Sequence, residues 1–243
     1  MANGPIILWD IECTNLNANF GYILSVAGKA LGEKKIESFD VSKYSSYQGD
    51  PTNDKKLVKE AGDYLATAGA WVTWYGARFD VPFINSRRIH HGLTPLPPIP
   101  HIDGWRIAKY KMAMNSNRLA SVSSFLQVQE KTPLDGPTWI KASAGNKAAL
   151  KYVVKHNVQD VVVLEEVYNK IKPLITTGPN VSLLESGSTR NQRVQLCPIC
   201  SSPRLQKRGA NITTTGSRQR FQCQACGGWS MGRTIREAGL EAR

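Results

Sequence analysis

The chain opens on a block of apolar residues that ends in acid. Ile6-Ile7-Leu8-Trp9 reads as a short strand buried on both faces of a sheet. Asp10 and Glu12 follow, and because strand side chains alternate, both carboxylates project from one face, about 7 Å apart. Residues 22–31 and 34–41 are β-rich runs joined at Gly32-Glu33, a hairpin signal. The opening therefore predicts three antiparallel neighbours with the acid-bearing strand on one side. Residues 43–52 are polar and turn-forming. Leu57, Val58, Ala61, Tyr64 and Leu65 then recur at helical spacing over residues 53–68, with Asn53 or Asp54 as N-cap. Trp71-Val72-Thr73-Trp74 is a further buried strand, and a second helix is predicted from Phe79 to Gly92.

Four prolines keep residues 93–100 extended, and they deliver His101-Ile102-Asp103 as a last edge strand. Helical patterns follow at 105–114, at 120–128 with a Ser cap, at 138–144 and at 147–172. A hairpin, then alternating strand and helix, then mostly helix predicts an α/β fold, a sheet with helices on its faces. Residues 173–192 are rich in Thr, Gly, Pro, Asn and Ser without periodicity, which reads as a linker. The expected domains are thus 1–172 and 193–243. No internal repeat is present.

Charge sharpens this division. The 243 residues carry a net +12, and phosphate backbones are the commonest partner of basic proteins. Residues 1–189 hold 21 Lys+Arg against 17 Asp+Glu, whereas residues 190–243 hold 10 against 2. Two thirds of the excess therefore lies in the last fifth of the chain. No apolar run approaches the roughly 20 residues that span a bilayer. The N-terminus lacks the pattern of a secretory signal, so a cytoplasmic protein without a membrane partner is expected.

Two like charges on a buried strand are unfavourable unless a cation lies between them, and hard divalent metals prefer carboxylate oxygens. Two more acids stand where such a site needs them. Asp80 follows Phe79 between a buried strand and a helix start, where it could also serve as an N-cap. Asp160 is flanked by apolar residues, and His156 lies one helical turn before it on the same face.

In order and spacing, Asp10-Ile11-Glu12, Phe79-Asp80 and His156 with Asp160 resemble the motifs of the DEDD-type 3′–5′ exonucleases of the ribonuclease H-like superfamily. The segment from Val81 to Arg88 also resembles the second-motif helix of members related to polymerase proofreading domains. Gly76 stands where relatives often carry a polar residue. The resemblance covers roughly residues 5–172 and implies a ribonuclease H-like mixed sheet flanked by helices. It also implies a phosphodiester hydrolase with two Mg²⁺ or Mn²⁺ held by Asp10, Glu12, Asp80 and Asp160, Asp10 bridging them. His156 is the implied general base, with Tyr152 as the alternative. The implied substrate is nucleic acid, DNA favoured, as a single strand or a 3′ end. A structure-specific endonuclease and a non-catalytic nucleic-acid-binding protein are the rival readings. His90 and His91 read as surface groups, His101 with Asp103 as a structural pair, and Cys13 as a small buried apolar residue.

The tail carries its own chemistry. Cys197-x-x-Cys200, 22 residues and Cys223-x-x-Cys226 read as a zinc ribbon, four thiolates around one structural Zn²⁺. A tail this short lacks a core, so metal binding is expected to supply much of its folding energy. Arg204, Lys207, Arg208, Arg218, Arg220 and Trp229 surround the ligands as nucleic-acid-binding candidates. Arg218 and Arg220 alternate with Gln219 and Phe221, which places both arginines on one strand face. A solvated basic face or a protein-docking module is the competing reading.

Overall fold

The computed structural model describes residues 4–129, 133–185, 195–213 and 216–235. They form two units, Met1–Lys170 and Ile171–Arg243. In the first, the apolar runs assemble into one sheet of β1 (Ile6–Cys13), β2 (Ile23–Ala30), β3 (Ile36–Asp40), β4 (Ala70–Thr73) and β5 (His101–Asp103), ordered β3-β2-β1-β4-β5. The first three strands are antiparallel neighbours, whereas β4 and β5 run parallel to β1. The acid-bearing strand stands on one side of that antiparallel trio, as expected, which puts it at the centre of the five-strand sheet, and His101-Ile102-Asp103 is the edge strand.

β1 outlasts its apolar run. Pairing with β2 continues through Asp10 opposite Ala27 and Glu12 opposite Ser25, so both acids stand within the sheet. On the other side, β4 pairs only with Ile6 to Leu8. Beyond Leu8 that edge of β1 is open to side chains from elsewhere.

Alternation along β1 sends Ile7, Trp9 and Ile11 into one apolar cluster with Leu57, Val58, Ala61 and Leu65 of α2 (Lys55–Leu65) and Phe83 and Ile84 of α3 (Asp80–His90). Full burial of each large side chain is worth about 1.5–3 kcal/mol, which fixes the strand face that Asp10 and Glu12 do not occupy. The turn-forming stretch before α2 contains a short helix, α1 (Ser45–Gly49). Asp54 precedes α2 but makes no side-chain cap. Its fully buried carboxylate accepts instead from Ile23 N at 2.8 Å and from Arg87, and pairs with His91 Nε2 at 2.6 Å. His91 is thus tied into the fold, in contrast to the surface role expected for it, while His90 is exposed.

Four more helices complete the unit: α4 (Gly104–Lys111), α5 (Leu119–Phe125), α6 (Gly136–Ser143) and α7 (Lys147–Ile171), the last ending at the unit boundary. The residue before α5 is Arg118, in extended conformation, not a serine cap.

In the second unit, β6 (Leu205–Thr213), β7 (Gly216–Cys223) and β8 (Trp229–Ile235) form an antiparallel sheet. The stretch expected to link two domains carries a short α8 (Ser182–Glu185), and Val181 N donates to Pro198 O at 2.7 Å. Residues 186–192 of that stretch lie outside the described residues. Among the described residues, no helix is long and apolar enough to cross a membrane.

Candidate active site

β1 presents Asp10 and Glu12, the first turn of α3 presents Asp80, and the middle of α7 presents His156 and Asp160. Glu12, His156 and Asp160 are each buried, and their ligating atoms lie within 4.8 Å of one another. His156 Nε2 stands 3.6 Å from Glu12 Oε1 and 3.7 Å from Asp160 Oδ2. Asp80 reaches the same strand from the side that β4 leaves open, where its Oδ1 accepts from Ile11 N at 3.2 Å. It is the first residue of α3 rather than its cap, which is Phe79. Asp10 is half-buried and accepts from Asn157 Nδ2 at 2.8 Å. Tyr152 turns elsewhere, its hydroxyl donating to Pro133 O at 2.6 Å.

Burial dominates the electrostatics. It pushes the Asp80 carboxyl up from its ordinary 3.8 to about 7; the Ile11 N–H opposes this rise and the Asp103 carboxylate adds to it. Burial likewise pushes the Cys13 thiol up, and the neighbouring acids add to it, which suits an inert apolar residue and not a nucleophile.

A family model described as the RNase_H superfamily matches residues 7–172. This chain belongs to the ribonuclease H superfamily. Members of that superfamily are generally nucleases and typically use divalent metals. Among solved structures, a family B DNA polymerase from the hyperthermophilic archaeon Pyrobaculum calidifontis is similar, with a TM-score of 0.54 and 15% identity. That match covers 70% of this chain and 25% of the polymerase, so it supports the fold alone. No curated protein matches the chain.

Within this ribonuclease H-like fold, two supporting residues emerge that the motif reading did not single out. Asn157 is fully buried and links the site to the sheet, donating to Asp10 while Ser25 Oγ donates to its Oδ1 at 3.0 Å. Its signal was present as a polar residue in the buried seam of α7, four residues after Val153 and four before Val161. Asp103 was read only as structural; its carboxylate accepts from Tyr75 N, Ala77 N and Trp105 N at 3.0, 3.2 and 3.0 Å. It thereby holds the β4–α3 loop, including Tyr75 at φ 69, that leads to Asp80. Gly76 has a steric reason, since a Cβ there would lie 2.4 Å from Thr73 Oγ1.

A cleft of ≈ 520 Å³ lies between the loop after β1 and α3. Leu16, Asn17, Arg78, Phe79, Ser86 and His90 are among its walls, and Leu16 is 79% exposed.

The second unit holds a separate cluster. Cys197, Cys200, Cys223 and Cys226 bring their sulfurs within 4.8 Å of one another, with Cys197–Cys226 at 3.8 Å and Cys200–Cys223 at 3.7 Å. Four thiolates placed tetrahedrally ~2.3 Å from one zinc would stand ~3.8 Å apart, so the donor set fits that ion. The basic candidates divide between the two faces of the sheet. Arg218, Arg220 and Trp229 line one cleft, whereas Lys207 sits opposite buried Phe221 and Arg204 reaches Gln224 O at 3.4 Å.

Proposed function

We propose that this chain is a metal-dependent 3′–5′ exonuclease that hydrolyses phosphodiester bonds of nucleic acid, DNA favoured, acting on single strands or 3′ ends. The observation that carries the reading is the meeting of Glu12, His156 and Asp160 within 4.8 Å, beside a strand whose open edge holds Asp80. Buried acids at this spacing repel one another unless cations lie between them. Asp10, Glu12, Asp80 and Asp160 would hold two Mg²⁺ or Mn²⁺, which when bound polarise the phosphodiester and offset the charge that develops on it. The likeness of the motif order to the DEDD-type exonucleases supports this ligand set.

The side chains supply the rest. Asn157 holds the Asp10 carboxylate in one orientation from within the core. His156 takes the proton from the attacking water through its ring Nε2, which faces the carboxylates. Exposed Leu16 and half-buried Phe79 offer an apolar wall for a terminal base, and Arg78 a cation for its phosphate. One structural Zn²⁺ on the four cysteines completes the assignment.

The test is digestion of a 5′-labelled linear single strand, and of a circle made by ligating the same labelled strand, with Mg²⁺, Mn²⁺ or neither. A ladder shortening from the 3′ end of the linear strand alone, lost in Asp10→Asn, is expected. Cleavage of the circle would make the chain an endonuclease, and no metal-dependent cleavage of either would remove the nuclease reading.

A further inference from the structure

The ribbon sheet has one face built around its cysteines and one that is not explained by them. Register places Gln222 opposite Trp229, Arg220 opposite Met231 and Arg218 opposite Thr234, all on one face. Phe221 and Cys223 take the other face and are buried. The first face keeps Trp229 44% exposed and Met231 55% exposed, a large apolar area to leave in water. The Arg220 guanidinium lies 5.7 Å from the centroid of the Trp229 ring, and Arg218 Nε donates to Thr234 Oγ1 at 2.7 Å, so both cations are held beside it. Together they line a cleft of ≈ 450 Å³ whose walls also include Ile175, Pro179 and Ile199.

We infer that this cleft binds single-stranded nucleic acid, an unpaired base stacking on Trp229 while Arg218 and Arg220 contact the flanking phosphates. The site uses none of the carboxylate cluster and goes beyond the exonuclease assignment. Charge selects the occupant: no Asp or Glu occurs from residue 195 to residue 235, so nothing in this stretch competes with phosphate for the arginines. Geometry selects the single strand. A paired base hides its faces inside the helical stack, whereas an unpaired base offers a π-face to an exposed indole. Duplex readers that insert a helix into the major groove need a longer helix than α8, the one α-helix that lies wholly within the described part of this unit.

The test uses the full chain, zinc-loaded and carrying Asp10→Asn so that the probe survives. Fluorescence anisotropy follows binding of labelled oligothymidylate and oligouridylate of about 15 nucleotides, of the matching duplex, and of an abasic strand. Base-dependent binding of either single strand, stronger than binding of the duplex, is expected. Trp229→Ala should weaken it roughly ten-fold and Trp229→Phe far less, since one stacked base is worth ~1–3 kcal/mol. Arg218→Gln and Arg220→Gln should each lower the salt slope by about 0.7, and Lys56→Gln, which removes the same charge from an exposed position of α2, should not. Equal binding of the abasic strand, preference for duplex, or wild-type affinity in Trp229→Ala would overturn the inference. Zinc content is measured in every variant; if Trp229→Ala sheds its metal, a strand that is abasic at internal positions but keeps its 3′-terminal base, and so its contact with Leu16 and Phe79, decides on the chain with intact Trp229. Hydrolysis by the chain with intact Asp10 is scored separately, so failure of the nuclease reading and failure of this site give different results.

Discussion

His156 is the residue whose surroundings say most. With Nε2 within 4 Å of two buried carboxylates, it is placed to take a proton from water held among them. His156→Ala is expected to lower kcat by about 10²–10⁴ while the Mg²⁺ dependence of activity changes little. Full turnover in that variant would move the base elsewhere. Asn157 acts through Asp10, so Asn157→Leu should raise the Mg²⁺ concentration for half-maximal activity roughly 10–100-fold, with activity recovering at high Mg²⁺. Asp80 predicts a pH dependence of stability. Between its ordinary 3.8 and the raised value of about 7, the unfolded chain has lost a proton that the folded chain still holds. In divalent-free buffer this group makes the fold less stable as pH rises through that window, by a total on the order of 4 kcal/mol. Urea midpoints at pH 5 and pH 8 should show the fall, and Asp80→Asn should lack this part of it.

Among the elements, α3 matters most because it carries Asp80 at one end and Arg87 near the other. Arg87 holds the fully buried Asp54 through Nε at 2.9 Å and Nη2 at 2.8 Å, fastening α3 to the start of α2 and, through Ile23 N, to β2. Arg87→Met leaves that carboxylate without its permanent cation, and a loss of about 3–5 kcal/mol by urea denaturation is expected. Replacing both partners, Asp54→Leu with Arg87→Met, should restore much of it, because a buried pair often only breaks even against apolar residues of similar size. A double variant no better than the single one would show that the pair itself, and not the orphaned charge, sets the cost.

At the scale of the whole molecule, the two units should respond separately to metal removal. A zinc chelator is expected to melt the sheet of Ile171–Arg243 while Met1–Lys170 keeps its cooperative thermal transition, which circular dichroism and limited proteolysis would resolve. Loss of both units together would show that the ribbon supports the larger fold.

The order of strands and helices, the α/β class and the four-cysteine cluster were legible along the chain, because each is written in local periodicity or spacing. So were Asp10, Glu12, Asp80, His156 and Asp160 as candidates, through motif order. Asn157 was not, since a lone polar residue in a helical seam gains meaning only from the strand it faces. Nor was the buried Asp54–Arg87–His91 cluster, in which Asp54 looked like a cap and His91 like a surface group. Sequence by itself determined which residues repeat, which are apolar and which carry chemistry. Only tertiary structure decided that β4 stops at Leu8 of β1, so that the Ile11 N–H is left for Asp80 and α7 brings His156 to Glu12. The physical reason is that strand pairing and helix packing join residues far apart in the chain, and no local pattern records where one strand ends beside another.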